Sequence, residues 1–458
     1  GRSLPEPLRA PREPPHPPAA PQGGGSASAG SEAAAAEASG ALGLFYGGVP
    51  AGFRNEPPRD WTLPETRERF AAALAGLRDR LPFRLPLVIG GEEQPSDIGT
   101  PKEAEAARGI VSVNPNQPGE VIGFAPCARR KEVERAAAAA AQALSDWGRR
   151  PPDERAQVLF RAAEAARGAR DELAALAVLE AGKAWEEADA EVCEAIDCLE
   201  YYGRLIRLMG LGAQLGLPGE PSRLVYEPRG VAAVIAPWNF PLAISMGMVS
   251  AALAAGNPVL YKPSSLTPVL GYRVYRLLAE SGLPPGALSF LPGPGAQVGD
   301  ALSTHPQVAL VAFTGSKEVG LRIIEKASRP HPRAAQLRSV IAEMGGKNAI
   351  IIDDDADLDE AVVQVVRSAF GYQGQKCSAC SRVIVLQEVY SRFLERLKAA
   401  CESLELGPVE DPKNRVGAVI DRAAQDRIQR FLDAGKREAK VLLLRKPPAG
   451  PGFTVPLA

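Results

Sequence analysis

A parallel, doubly wound α/β fold is what this sequence predicts, and three observations predict it. From residue 231 onward, short apolar runs alternate with amphipathic helical stretches, the pattern of strands joined by crossover helices. Upstream, residues 130–209 place Ala and Leu at spacings of three and four with charges between, as a helical layer packed on a sheet would. The chain has 458 residues, 45% of them apolar, enough for two or three domains with sizeable cores.

Taken in order, residues 1 to about 45 are rich in Pro, Ala, Gly and Ser and read as a disordered tail or linker. Residues 59–83 turn helical, and the run PLVIGG at 86–91 is strand-like. After the helical layer come VAAVIAP, a helix near 241–255, PVLYKP, a helix near 267–281, LSFLPG, a helix near 296–303, VALVAFTG, and a helix near 316–327. Sheets of this kind bind nucleotides at the carboxyl ends of their strands. A second series then follows: NAIIID, the helix DLDEAVVQVVRSAF and SRVIVL. The expected layout is a tail (1–45), a helical layer with a dinucleotide-binding domain (46–340), and a second α/β domain (341–458).

Charge and composition exclude several functions. Against 53 Lys and Arg stand 54 Asp and Glu, so nothing drives binding to nucleic acid or an anionic membrane. No apolar run approaches the roughly 20 residues that span a bilayer, and the start lacks the layout of a secretory signal. Six scattered cysteines suit reduced thiols, and the expected location is cytoplasmic. Cys377 and Cys380 form a C-x-x-C, but with three histidines in the chain, one of them in the tail, further zinc ligands are scarce and no metal is expected. The same scarcity argues against a Ser-His-Asp hydrolase.

Four motifs remain to carry chemistry. Gly374-Gln375-Lys376-Cys377-Ser378 puts a cysteine in a Gly-containing turn between helix and strand, where a nucleophile can face a cleft. The bland alternative, a small buried residue, suits Cys127, Cys193, Cys198 and Cys401 better. Glu343-Met344-Gly345-Gly346-Lys347 places a carboxylate at the end of the strand-like RSVIAE, a position for a general base and equally for a surface glutamate. Pro237-Trp238-Asn239-Phe240-Pro241 offers an amide donor for an oxyanion, or a turn Asn between prolines. Phe313-Thr314-Gly315-Ser316, with Gly320, is a strand–turn–helix whose helix N-terminus and Ser316 hydroxyl suit a pyrophosphate. Lys262 ends the neighbouring strand and could bind a ribose or phosphate. Gly295 and Gly299 form only a loose glycine pattern.

Together APWNFP, YKPS, FTGS, E-x-GGK and GQKCS closely resemble the aldehyde dehydrogenase superfamily, from about residue 46 to the end, and Glu343 and Cys377 lie 34 residues apart as in that family. The resemblance implies a Rossmann-type NAD-binding domain, an incomplete catalytic domain and part of an oligomerisation flap, its hairpin near 212–229. It implies Cys377 as nucleophile, Asn239 with the Cys377 N–H as oxyanion site, and Glu343 as activator of water. It also implies Lys262, Ser265, Gly295, Gly299, Phe313, Gly315, Ser316 and Gly320 around the dinucleotide, with Trp238 beside it.

The nearest likeness is to L-glutamate γ-semialdehyde (1-pyrroline-5-carboxylate) dehydrogenases, as in the aldehyde dehydrogenase domain of proline-utilisation A proteins. It rests on FRNEPPRDW (53–61), EAGKAWEEADAEVCEAIDCLEYYGR (180–204) and SAFGYQGQKCSACSRVIV (368–385). In that family the residues flanking the cysteine, here Lys376 and Ser378, help bind the substrate carboxylate.

Ser265 stands where many members carry a Glu, so NAD is the expected cofactor with NADP left open. The chain stops about a hundred residues short of the family pattern, which leaves two alternatives: another aldehyde substrate, or a truncated product that only binds nucleotide or partners. The resemblance also implies a homo-oligomer in the full-length form and, upstream, a linked proline dehydrogenase domain.

Overall fold

The structure, a computed structural model, describes residues 49–458 apart from 215–218 and 335. The predicted tail therefore lies outside the described residues, as does the tip of the hairpin expected near 212–229.

A seven-stranded sheet forms the centre, in the order Ser339–Met344, Val308–Gly315, Val231–Ile235, Val259–Lys262, Leu288–Phe290, Leu87–Ile89, Glu92–Gln94. The first five strands run parallel; the last two form an antiparallel hairpin turned by Gly90 and Gly91, both at positive φ. Continuous apolar runs become interior strands because both faces are covered. Along Val231–Ile235 the side chains alternate between two cores. Ala232 and Val234 pack toward the helices Pro152–Gly168, Arg170–Ala181, Trp185–Leu211, Ala243–Ala254 and Pro268–Ala279. Val231, Ala233 and Ile235 pack toward Arg130–Trp147, Asp300–Thr304 and Lys317–Ser328.

The strand order creates a switch point. From Val231–Ile235 the chain steps outward to Val259–Lys262 and Leu288–Phe290, then returns to lay Val308–Gly315 and Ser339–Met344 on the other side. Crossover helices leave in opposite directions there, opening a crevice at the carboxyl ends of the strands that end in Ile235 and Gly315.

Two details depart from the sequence reading. The expected helix near 296–303 begins as a π-helical turn, Gly295–Gly299, before Asp300–Thr304 continues as α-helix. And the large sheet runs past residue 340, because Ser339–Met344 pairs with Val308–Gly315 along its whole length, Thr314 opposite Glu343 and Gly315 opposite Met344. Glu343 thus sits on the edge strand of the large sheet.

A second, two-stranded parallel sheet pairs Asn348–Ile352 with Cys380–Val385 through the helix Leu358–Phe370, which Asp357 caps by accepting from the N–H groups of Asp359 and Glu360. A small three-stranded sheet (Phe83–Arg84, Gln117–Ala125, Ile110–Asn114) and the helix Arg422–Glu438 had no counterpart in the sequence reading. The segment 55–59 is tied to the helix Trp185–Leu211: Asp197 accepts from the Glu56 N–H at 2.6 Å, and buried Asp189 accepts from the Arg59 N–H and, bidentately, from Arg170 at 2.7 and 2.8 Å.

Candidate active site

The crevice opens into a cavity of about 900 Å³ whose wall includes Trp238, Asn239, Gly315, Ser316, Glu343, Lys376 and Cys377. These residues come from four places: the loop after Val231–Ile235, the turn after Val308–Gly315, the edge strand Ser339–Met344, and the bend between Leu358–Phe370 and Cys380–Val385.

The bend that presents Cys377 is unusual backbone. Tyr372, Gln373 and Gly374 occupy left-handed conformations in succession, with φ of 51°, 56° and 68°. Only the third is a glycine, and a non-glycine residue there costs on the order of 1–3 kcal/mol, so surrounding bonds must hold it. The Tyr372 hydroxyl donates to the Ala181 carbonyl at 2.9 Å, and Gln373 Nε2 donates to the carbonyls of Ala418 at 2.6 Å and Gly182 at 3.2 Å. Further on, Asn348 Nδ2 donates to the Cys377 carbonyl at 2.8 Å. Cys377 itself is exposed.

Asn239 faces this bend, and its Nδ2 donates to the Gln375 carbonyl at 3.0 Å, two residues before the cysteine. Glu343 is exposed on its edge strand beside Gly345 and Gly346. Lys376 lines the cavity with its ammonium 2.7 Å from both carboxylate oxygens of Glu187. Ser378 is exposed and is not among the lining residues.

A second group gathers at the ends of Val259–Lys262 and Leu288–Phe290. Lys262 is 4% exposed, and its ammonium donates to the Pro263 carbonyl at 2.7 Å. Burial pulls it down to about 8, with Cys127 opposing. Ser265 Oγ donates to the Gly293 carbonyl at 3.0 Å. A Cβ on Gly299 would stand 3.9 Å from the Lys262 side chain, while Gly295 faces open space. None of these four lines the cavity with Cys377.

Phe313 is buried, and Gly315 and Gly320 are packing glycines. A Cβ at Gly315 would fall 2.6 Å from the Phe313 ring, and at Gly320 2.6 Å from Met344 Sδ. Ser316 caps the helix Lys317–Ser328, its hydroxyl accepting from the Val319 N–H at 3.4 Å.

These residues fit a dinucleotide: a buried cation donating to a carbonyl, a glycine without bulk beside it, and a helix N-terminus on the wall of the cavity. Sequence reasoning missed Glu187, Gln375, Asn348 and the wall formed by Val455–Leu457.

Comparison with known proteins follows the same lines. Residues 102–456 match the profile of the aldehyde dehydrogenase family. The chain is 44% identical over 391 residues to the 1-pyrroline-5-carboxylate dehydrogenase of Geobacillus kaustophilus (strain HTA426), covering 85% of this chain and 74% of that one. It is 41% identical, with the same coverage, to that of Bacillus subtilis (strain 168). Among solved structures, proline utilization A from Bdellovibrio bacteriovorus inactivated by N-propargylglycine superposes with a TM-score of 0.85 at 43% identity, over 89% of this chain. This chain spans only 41% of that protein's length. The Thermus 1-pyrroline-5-carboxylate dehydrogenase with bound NAD superposes with a TM-score of 0.81 at 39% identity, over 87% of this chain and 76% of that one.

Proposed function

The chain belongs to the aldehyde dehydrogenase family, and from that premise we propose that it oxidises L-glutamate γ-semialdehyde, the open form of 1-pyrroline-5-carboxylate, to L-glutamate with NAD, as a step of proline catabolism. The observation that carries the activity is the convergence of a cysteine, a carboxylate and an amide, from three separate elements, on one cavity. The relatives named 1-pyrroline-5-carboxylate dehydrogenase carry the choice of substrate.

In this reading the Cys377 thiolate attacks the aldehyde carbon, and the carbonyl oxygen gains the charge. An amide nitrogen has two hydrogens; Asn239 spends one on the Gln375 carbonyl, which fixes the group, and offers the other to the oxyanion beside the Cys377 N–H. NAD, when bound, supplies a nicotinamide ring that accepts the hydride. A thioester is then left on Cys377. Glu343 takes a proton from water, the hydroxide adds to the thioester, and Cys377 leaves as thiolate while the acid is released.

Lys376, oriented by Glu187, and Ser378 on the other flank of the cysteine are proposed to grip the substrate carboxylate. Trp238, Lys262, Ser265, Gly295, Gly299, Phe313, Gly315, Ser316 and Gly320 are proposed to form or support the dinucleotide site. The same reading assigns residues 46–340, extended to Met344 by the edge strand, to the helical layer and dinucleotide-binding domain and the remainder to 458 to the catalytic domain, in a cytoplasmic homo-oligomer. The likeness to proline utilization A adds a linked proline dehydrogenase domain to the proposal. Among the described residues no helix is long and apolar enough to cross a membrane.

The test is NADH formation with equilibrated 1-pyrroline-5-carboxylate, succinic semialdehyde and propanal in parallel, each repeated with NADP. The expected result is the highest kcat/KM with 1-pyrroline-5-carboxylate and NAD. A preference for succinic semialdehyde would replace the substrate, and a folded chain silent on all three would overturn the activity.

A further inference from the structure

Packed against Phe240 and Tyr372 lies a buried pair that the mechanism above does not use. Lys183 and Glu191 are both buried, with Nζ 2.9 Å from Oε2. At that distance the ion pair engages one hydrogen of the ammonium and leaves the others for further partners. Those partners are aromatic faces: Nζ lies 3.6 Å from the centre of the Phe240 ring and 4.4 Å from that of Tyr372. The two rings meet edge to face at 6.2 Å.

Each partner leads to a different part of the site. Phe240 follows Asn239 directly. Glu191 Oε1 accepts from the Leu242 N–H at 2.8 Å, so it holds the start of the helix that continues the Asn239 loop. Tyr372 opens the left-handed stretch 372–374, which ends three residues before Cys377. Lys183 itself follows the Ala181 and Gly182 carbonyls that anchor Tyr372 and Gln373. A single ammonium therefore touches the loop bearing the oxyanion donor and the bend bearing the nucleophile.

We propose that Lys183 is a positioning residue: clamped between Glu191, Phe240 and Tyr372, it sets the separation between Asn239 and Cys377. The inference rests on the roles proposed above for those two residues. A displacement of about 1 Å in such a pair costs on the order of 10²-fold in rate.

The deciding variant is the double substitution Lys183→Met with Glu191→Gln. Removing one member of a buried pair strands the other charge, whereas removing both leaves a neutral core, and the side-chain amide introduced by Glu191→Gln retains an oxygen for the Leu242 N–H. Should that variant fail to fold, Phe240→Leu keeps the ion pair and deletes one ring face, and the same measurements decide. Amide hydrogen exchange is followed by peptide mass, alongside kcat and KM.

The expected result is exchange faster by roughly tenfold in 237–241 and 372–378, with the rest of the protein unchanged. The expected kcat falls by roughly 10²-fold, with KM for NAD unaltered. Unchanged exchange in those two segments overturns the inference, as does faster exchange throughout, or altered exchange with full activity. If the wild-type chain oxidises none of the aldehydes, the activity proposed above is what fails. The exchange pattern then still decides whether Lys183 orders the two segments.

Discussion

Cys377 and Glu343 divide the proposed reaction between them, so their removal should fail at different stages. Cys377→Ala should abolish NADH formation altogether. Glu343→Gln should slow only release of the acid, leaving a rapid first turnover visible by stopped flow; a variant without that burst would remove Glu343 from the hydrolytic step. Asn239→Ala should lower kcat by about 10²–10³-fold, the usual cost of one oxyanion donor, and should also free the Gln375 carbonyl it now restrains. Cys377 and Glu343 could be found in the sequence because glycines beside them mark turns at the ends of elements. Glu187 could not, since its partner Lys376 lies 189 residues away and only the fold brings them together. Nor could the conformation of Tyr372, which local preference argues against and which its buried hydroxyl bond enforces.

Element ends carry two titratable groups whose burial has consequences for pH. Glu180 is fully buried at the start of the helix Pro268–Ala279, accepting from the Val269 and Leu270 N–H groups and from the Ser112 hydroxyl at 2.7 Å. Burial outweighs these bonds and raises it to about 7. The folded protein therefore holds this proton more tightly than the unfolded chain, whose carboxyl ionises near pH 4.5. Stability from this group is greatest below that value, declines as pH rises toward about 7, and is level beyond. Glu180→Gln should flatten the slope of melting temperature between pH 5 and 8. It should also cost about 1–3 kcal/mol, because its amide would face a backbone N–H.

Lys262 runs the other way: an ammonium lowered to about 8 is present below that pH and lost above it. If it grips the dinucleotide, NAD affinity measured by fluorescence quenching should weaken as pH rises from 7 to 9. Lys262→Met should be weaker by roughly tenfold or more at pH 7 and insensitive to pH. A wild-type affinity that is level over this range would exclude Lys262 from binding. The strand ending in Lys262 and the helix Pro268–Ala279 after it were readable as an apolar run followed by an amphipathic one. The π-helical turn Gly295–Gly299 was not, because two glycines in a loose pattern specify no single backbone path.

Across the whole molecule, apolar surface is unevenly distributed. Ile351 and Ile384, paired across the two-stranded sheet, are 70% and 53% exposed, and Phe431 is 74% exposed. Both edges of that sheet lack a neighbouring strand among the described residues. Such surface drives association. This chain should show concentration-dependent self-association by light scattering, and Ile351→Lys with Ile384→Lys should reduce it; a monodisperse monomer at high concentration would count against this. The doubly wound centre was legible because its four interior parallel strands are covered on both faces and so must be largely apolar. The limit of the large sheet was not, since the run RSVIAE reads alike as the last strand of one sheet or the first of another, and only pairing with Val308–Gly315 decides.

That pairing also makes catalysis a gauge of alignment. Side chains alternate along a strand, so sliding Ser339–Met344 by one residue would put Ala342 or Met344 where Glu343 now stands. Helix and strand content would be unaltered, and circular dichroism would record a well-folded protein. With Glu343 in the role proposed for it, hydrolysis of the thioester would cease. A preparation that acylates but does not turn over would therefore reveal a misaligned edge that bulk spectroscopy passes as native.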